Sequence, residues 1–176
     1  DYPVDTGRLR AVLERAAKES GWGRTLEKGS GLGLAVHRSF TSYVAMAVEA
    51  SVTKEGRLTV PRVDVVIDCG RAYNPDRVKS QMEGSVIFGH ALTMTGEITA
   101  EAGAIQQTNF QDYKIPRIHE VPREIRVHII ESDAQPGGVG EPGVPPYPPA
   151  LCNAIRVATG KRFRALPLSK QDLSWS

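Results

Sequence analysis

The chain has 176 residues, with 22 Lys plus Arg against 20 Asp plus Glu and a formal net charge of +2. Hydrophobic residues at 40% and charged residues at 24% exclude general disorder, and the near balance of charge gives no ground for a nucleic-acid-binding domain. No uninterrupted apolar run approaches the roughly 18 residues that span a bilayer. The opening Asp1-Tyr2-Pro3-Val4 lacks a Met and a signal-peptide pattern. It reads like the middle of a longer protein, so the expectation is a fragment that forms one domain. Cys69 and Cys152 make no CxxC or metal spacing. Neither a disulfide framework nor a zinc site is expected, and a single bridge is left open.

In chain order, the spacing of Leu9, Val12, Leu13, Ala16 and Ala17 predicts a helix over residues 6–20. Asp5 or Thr6 would cap it, and Gly21 and Gly23 would stop it. Gly29-Ser30-Gly31-Leu32-Gly33 reads as a loop. A first strand follows over Leu34–Phe40. Tyr43–Val52 and Arg57–Cys69, joined through Lys54-Glu55-Gly56, read as a hairpin. Asn74 as N-cap and Pro75 at the first position start a second helix, which runs to about Thr95 with Gly96 as its stop. Its face carries Val78, Met82, Ser85, Val86 and Gly89. Ile98–Phe110 predicts two short strands around Glu101-Ala102-Gly103, and residues 111–121 an extended loop. The alternation of Ile125, Val127 and Ile129 predicts a strand within Arg123–Ser132. A Gly/Pro segment occupies residues 135–149, a helix spans about Ala150–Thr159, and a short strand closes the chain over Arg162–Leu166. Grouped strands with separate helices give an α+β class, with a mixed or antiparallel sheet and packed helices.

Most motif candidates fail on context. Gly29–Gly33 precedes a strand and is followed by no Lys-Ser/Thr, so it is neither a P-loop nor a dinucleotide fingerprint. His37, His90, His119 and His128 form no HxH or HExxH pattern, so no protein-built metal site is expected. Arg8, Arg10, Arg15, Lys18 and Arg24, interrupted by Glu14 and Glu19, read as a solvated helix face. Gly137-Gly138-Val139-Gly140-Glu141-Pro142-Gly143 is different, because it sets one carboxylate in a stiffened loop ahead of a helix. By composition alone it is a surface turn. As a functional segment it offers Glu141 as a general base. Gln81, beside Met82-Glu83-Gly84, reads as helix surface, as an internal hydrogen bond, or as an amide aimed at a polar cofactor.

Asp68-Cys69-Gly70, Asn74-Pro75-Asp76, Gln81-Met82-Glu83-Gly84, Asp112-Tyr113, Gly137 through Pro146 and Ala158-Thr159-Gly160-Lys161-Arg162 occur in this order. Together they resemble the C-terminal part of the molybdopterin-binding large subunit of the xanthine oxidase family. The resemblance is strongest to the branch with isoquinoline 1-oxidoreductase beta and aldehyde-oxidising subunits. It covers essentially the whole chain, residues 1–176, as one C-terminal lobe of a molybdenum cofactor-binding domain. It implies a molybdenum hydroxylase that oxidises an aldehyde or N-heteroaromatic substrate with water-derived oxygen. It implies molybdenum on molybdopterin, as the cytosine dinucleotide, and [2Fe-2S] clusters on an iron–sulfur small subunit. The Glu of the Gly-Glu-Pro motif, matched by Glu141, is the implied base. Gln81 is the implied cofactor ligand, with the backbone of Gly138, Val139 and Gly140 against the cofactor. The remainder of the large subunit lies upstream in the family, so the fragment alone is expected to be inactive. The competing expectation is a non-catalytic paralogue that keeps the fold and binds a partner. Substrate identity and compartment are not legible.

Overall fold

The computed structural model describes residues 3–176; Asp1 and Tyr2, the first two residues of the opening segment, lie outside the described residues. The elements in chain order are α1 (Thr6–Ser20), β1 (Ser30–Ser39), β2 (Ser42–Val52), β3 (Leu58–Asp68), α2 (Pro75–Met94), β4 (Ala100–Glu101), β5 (Ala104–Ile105), β6 (Glu124–Ile129) and α3 (Tyr147–Thr159). Asp5 caps α1 by accepting from the Arg8 N–H at 3.1 Å. Asn74 caps α2 by accepting from the Arg77 N–H at 3.1 Å, with Pro75 behind it. In both cases a short side-chain oxygen meets an N–H that a helix start leaves free. Gly21 ends α1 at φ 68°, in the left-handed region that a Cβ disfavours.

The main sheet has the order β1-β2-β3-β6. β1, β2 and β3 pair antiparallel, and β6 joins β3 in parallel, so the sheet is mixed. On one face Val44, Met46, Val48, Val63, Val65 and Ile67 meet Val78, Met82 and Val86 of α2 and Leu151, Ala154 and Ile155 of α3. On the other, Tyr43, Ala45 and Val66 receive Val12 and Ala16 of α1. The central strands are thus covered on both faces, which is why Tyr43–Val48 is continuously apolar rather than alternating. Each large side chain so buried contributes about 1.5–3 kcal/mol.

Several boundaries differ from the sequence expectation. Gly29–Gly33 is not a loop throughout: β1 begins at Ser30 and includes Gly31 and Gly33. Their lack of side chains is used for packing. A Cβ at Gly33 would land on the Ala150 carbonyl, and one at Gly31 on the Ala154 carbonyl, so α3 lies directly on the β1 backbone. Asn153 fastens that seat by donating to the Leu34 carbonyl at 3.1 Å. α3 starts at Tyr147 rather than near Ala150, because Pro148 and Pro149 fit a first helical turn whose N–H groups need no internal partner. Residues 162–166 form no strand and lead into a 3-10 turn at Leu168–Lys170. Between α2 and β6 only the two-residue β4 and β5 pair. Cys69 and Cys152 are free thiols, which leaves no bridge between them.

Candidate cofactor-binding site

Asp68-Cys69-Gly70 closes β3 and ties the later Gly/Pro segment to the sheet. Asp68 is buried and accepts from Arg8 Nη2 at 2.7 Å and Nε at 2.8 Å, and from the Gly70 N–H at 3.0 Å. Burial alone would raise the Asp68 carboxyl, but the Arg8 hydrogen bonds, the Gly70 N–H and the Arg8 charge hold it below its ordinary value. The Cys69 carbonyl then accepts from the Gly137 N–H at 2.8 Å, and the Ala134 carbonyl accepts from the Arg71 N–H at 3.1 Å. The end of β3 is therefore the anchor for the Gly/Pro strap.

A second anchor is the tight turn between β1 and β2. The Phe40 carbonyl accepts from the Gly138 N–H at 2.8 Å, and the Ser42 hydroxyl donates to the Gly138 carbonyl at 2.7 Å. A third lies past Glu141. Gly143 is buried so close to α2 that a Cβ there would stand 2.7 Å from Ser85 Cβ and 3.1 Å from Met82 Sδ. Glu141 begins a turn in which its carbonyl accepts from the Val144 N–H at 2.9 Å, with Pro142 at the second position where its fixed φ suits the bend.

Between these anchors the strap faces outward. Gly140 and Glu141 are exposed and Val139 is half-buried. Among the described residues no hydrogen bond takes the N–H groups of Val139, Gly140 or Glu141. Gln81 is exposed on α2 opposite this span, with its amide Nε2 3.5 Å from the Gly140 carbonyl. Gln81, Gly84, Ser85, Phe88, Gly140, Glu141, Val144 and Pro145 line one open cleft of about 340 Å³. Glu141, Gln81 and Gly140 thus share a cleft. Gly138 and Val139 lie on the same strap, but Gly138 is turned to the Phe40 turn and both its backbone groups are used there. Phe88 and Ser85, absent from the sequence expectation for the site, were recoverable from helical spacing: Ser85 and Phe88 follow Gln81 at i+4 and i+7 and share its face.

Behind the cleft, α2 and α3 are joined by a buried polar pair. His90 Nδ1 and Tyr147 Oη are 2.8 Å apart, with both residues buried. Burial lowers the pKa of His90 and raises that of Tyr147, so both are neutral near pH 7. Among the described residues no group of three or more His, Cys, Asp or Glu could hold a metal ion. A metal at this cleft would have to arrive on its own organic ligand.

Comparison with known proteins gives the chain its class. The family described as "Molybdopterin cofactor-binding domain" matches residues 14–122, and the chain belongs to that family. In sequence the chain is 36% identical over 165 residues to the isoquinoline 1-oxidoreductase subunit beta of Brevundimonas diminuta, covering 92% of this chain and 21% of that one. It is 29% identical over 172 residues to the membrane-bound aldehyde dehydrogenase [pyrroloquinoline-quinone] of Gluconacetobacter polyoxogenes, covering 94% and 22%. In structure it resembles the quinoline 2-oxidoreductase of Pseudomonas putida 86, with TM-score 0.64 and 23% identity over 72% of this chain and 17% of that one. The aldehyde oxidoreductase of Desulfovibrio gigas gives TM-score 0.64 and 22% identity over 75% and 15%. The structural likenesses establish the shared fold. The chain spans about a fifth of the length of these two curated sequence relatives.

Proposed function

We propose that this chain is the C-terminal lobe of a molybdenum hydroxylase large subunit, and that the cleft between the strap and α2 borders its active site. The observation that carries the reading is one carboxylate, Glu141, held in a strap pinned on both sides and opposite the Gln81 amide, whose Nε2 reaches the Gly140 carbonyl at 3.5 Å. The residues fit a molybdopterin. Three unpaired N–H donors at Val139, Gly140 and Glu141, with the Gln81 amide, suit a ligand rich in ring nitrogens, oxygens and phosphate. Gly140 has no atom closer than 4.0 Å to where a Cβ would stand, so such a ligand can lie against its backbone. Gln81 and the N–H groups of Val139 and Gly140 would hold the cofactor, with Gly138 setting their position from behind.

The molybdenum cofactor, taken as the cytosine dinucleotide form, supplies two-electron redox chemistry with oxygen taken from water. Glu141 would be the base: its carboxylate would take up a proton from the water that supplies the oxygen, while the cofactor, when bound, would accept the two electrons that leave the substrate. The exposure of Glu141 leaves it free to meet that proton, and the anchors at Gly138 and Gly143 fix its direction of approach. The substrate class is an aldehyde or an N-heteroaromatic ring, as the names of the sequence relatives suggest. The remainder of the large subunit would complete the cleft, and an iron–sulfur small subunit with [2Fe-2S] clusters would carry the electrons away.

The test is the native-length protein purified with its small subunit from a host that loads molybdenum. About one molybdenum per large subunit is expected. Glu141→Gln should keep that metal and lose about 10²–10⁴-fold in turnover, the span attached to a positioned general base. Near-normal turnover in that variant would refute the base. A metal-free wild-type protein would favour a non-catalytic relative of the same fold.

A further inference from the structure

The β1–β2 turn is costly for its sequence. Ser39 pairs with Ser42, so the loop is the two residues Phe40 and Thr41. Both have positive φ, 50° and 62°. Two-residue hairpin loops with both residues in that region are normally Asn-Gly or Gly-Gly, because a Cβ crowds the following carbonyl. A bulky aromatic followed by a β-branched residue is an unfavourable choice there. Such conformations persist where surrounding contacts over-determine them, and they cluster at functional sites.

The contacts that hold this turn are with the strap that carries Glu141. The Gly138 N–H donates to Phe40 O at 2.8 Å and its carbonyl accepts from Ser42 Oγ at 2.7 Å, so both backbone groups of Gly138 are taken by the turn. Ser42 is fully buried, and the two partners lie 96 residues apart in sequence. There is no slack in the fit. A Cβ on Gly138 would stand 2.7 Å from Phe40 Cβ, and one on Gly137 would stand 2.9 Å from Phe40 O and from Thr41 Oγ1. Downstream of Gly138 the next close seat is Gly143 on α2, and Glu141 lies between the two.

We infer that the Phe40-Thr41-Ser42 turn is the device that positions the Glu141 carboxylate, with Ser42 the positioning residue. Ser42 fixes the peptide plane of Gly138. That plane sets the direction in which Val139, Gly140 and Glu141 leave the turn. The left-handed backbone at Phe40 and Thr41 brings the Phe40 carbonyl and the Ser42 hydroxyl to the same glycine. This inference rests on the reading of Glu141 as the base.

The experiment uses the complete enzyme with its small subunit, assayed on benzaldehyde and on isoquinoline with a dye acceptor. Ser42→Ala removes one hydroxyl and little volume. It should lower kcat about tenfold or more, leave KM within about twofold and keep the molybdenum, because a mis-aimed base slows the chemical step and not binding. Hydrogen exchange of the peptide covering residues 137–141 should speed up in the same variant, a readout independent of turnover. Ser42→Cys keeps a weak donor and should fall between the two. If Ser42→Ala yields no folded enzyme, Gly138→Ala disturbs the same contact from the strap side, because its Cβ would stand 2.7 Å from Phe40 Cβ, and should show the same faster exchange and lower kcat.

Glu141→Gln, run alongside, separates the two claims. If it is inactive while Ser42→Ala matches wild type in kcat and exchange, the positioning role is overturned and the base stands. If Glu141→Gln turns over normally, the base reading falls and this inference with it. Loss of molybdenum in Ser42→Ala would also overturn it, by showing that the turn holds the cofactor-binding fold rather than aiming a carboxylate.

Discussion

Asp68 shows how one side chain serves fold and site together. It is almost wholly buried, and its carboxylate is matched by Arg8, which also lies over the Tyr43 ring at 4.6 Å. Its folded-state pKa is depressed, so its contribution to stability is present above the unfolded value of about 3.9 and is lost as pH falls through the folded value. Arg8→Leu leaves that carboxylate buried without its cation. A loss of about 3 kcal/mol is expected at pH 7. The loss should shrink on approaching pH 4, because the lone carboxyl, now raised by burial, takes up a proton and sheds the buried charge. Urea melts of wild type and variant at the two pH values check this. An equal loss at both would mean that Arg8 acts through its packing on Tyr43 and not through charge. In the sequence this pair was invisible. Arg8 read as one of several solvated basic residues on α1, because the partner lies 60 positions away and nothing local marks it. Glu141 and Gln81 stood out as candidates because both lie in ordered motifs, and the fold brings the two into one cleft. Ser42 was not: its meaning depends on the carbonyl of a glycine in another segment.

At the scale of elements, caps and periodicity carried most of the reading. Asn74-Pro75 placed the start of α2, and its apolar stripe named the face that is buried. The hairpin of β2 and β3 followed from two β-rich runs around Gly56. What failed were elements defined by close approach. Gly31 and Gly33 signal a loop by composition, yet both sit in β1 because α3 needs the space above them. The same seat explains why a Pro-rich stretch could become the first turn of α3. The strand expected over residues 162–166 does not form: that segment pairs with neither edge of the sheet and runs instead to the 3-10 turn at Leu168. Gly33→Ala tests the seat. Its methyl would collide with the Ala150 carbonyl and the Ala154 nitrogen, and both are helix backbone that cannot rotate away. The expected cost is about 3 kcal/mol, the upper end for overpacking. The paired control Gly103→Ala has open space around its Cβ and should lose far less, chiefly from its φ of 80°. Thermal melts of the two variants compare them directly. A Gly33→Ala protein as stable as wild type would mean that α3 can lift from β1 without cost.

Across the whole molecule the unpartnered surface argues for a larger assembly. Phe110 is 97% exposed and Ile118 93%, both on the segment between α2 and β6 that holds only the two short strands. Ile98, Ile105 and Ile115 on the same segment are more than half exposed as well. Among the described residues β1 pairs only with β2 and β6 only with β3, so both outer edges of the sheet carry open backbone groups, apart from such groups as the Leu34 carbonyl taken by Asn153 and the Ser30 N–H that donates to the Glu27 carbonyl. A domain that worked alone would bury or blunt such features, because open edges and large apolar patches template association. The coverage of about a fifth of each curated relative points the same way. The 176-residue chain on its own should therefore self-associate with rising concentration, bind a hydrophobic dye, retain no molybdenum and show no turnover of aldehydes or N-heteroaromatics. Sedimentation velocity over a dilution series reads the first point, and metal analysis and a dye-linked assay the others. Co-expression with the upstream part of the large subunit should suppress both the association and the dye binding, if that part is what covers the 98–121 segment and the strand edges. A chain that stays monomeric, excludes the dye and turns over substrate unaided would show that these surfaces need no cover and that the cleft is already complete.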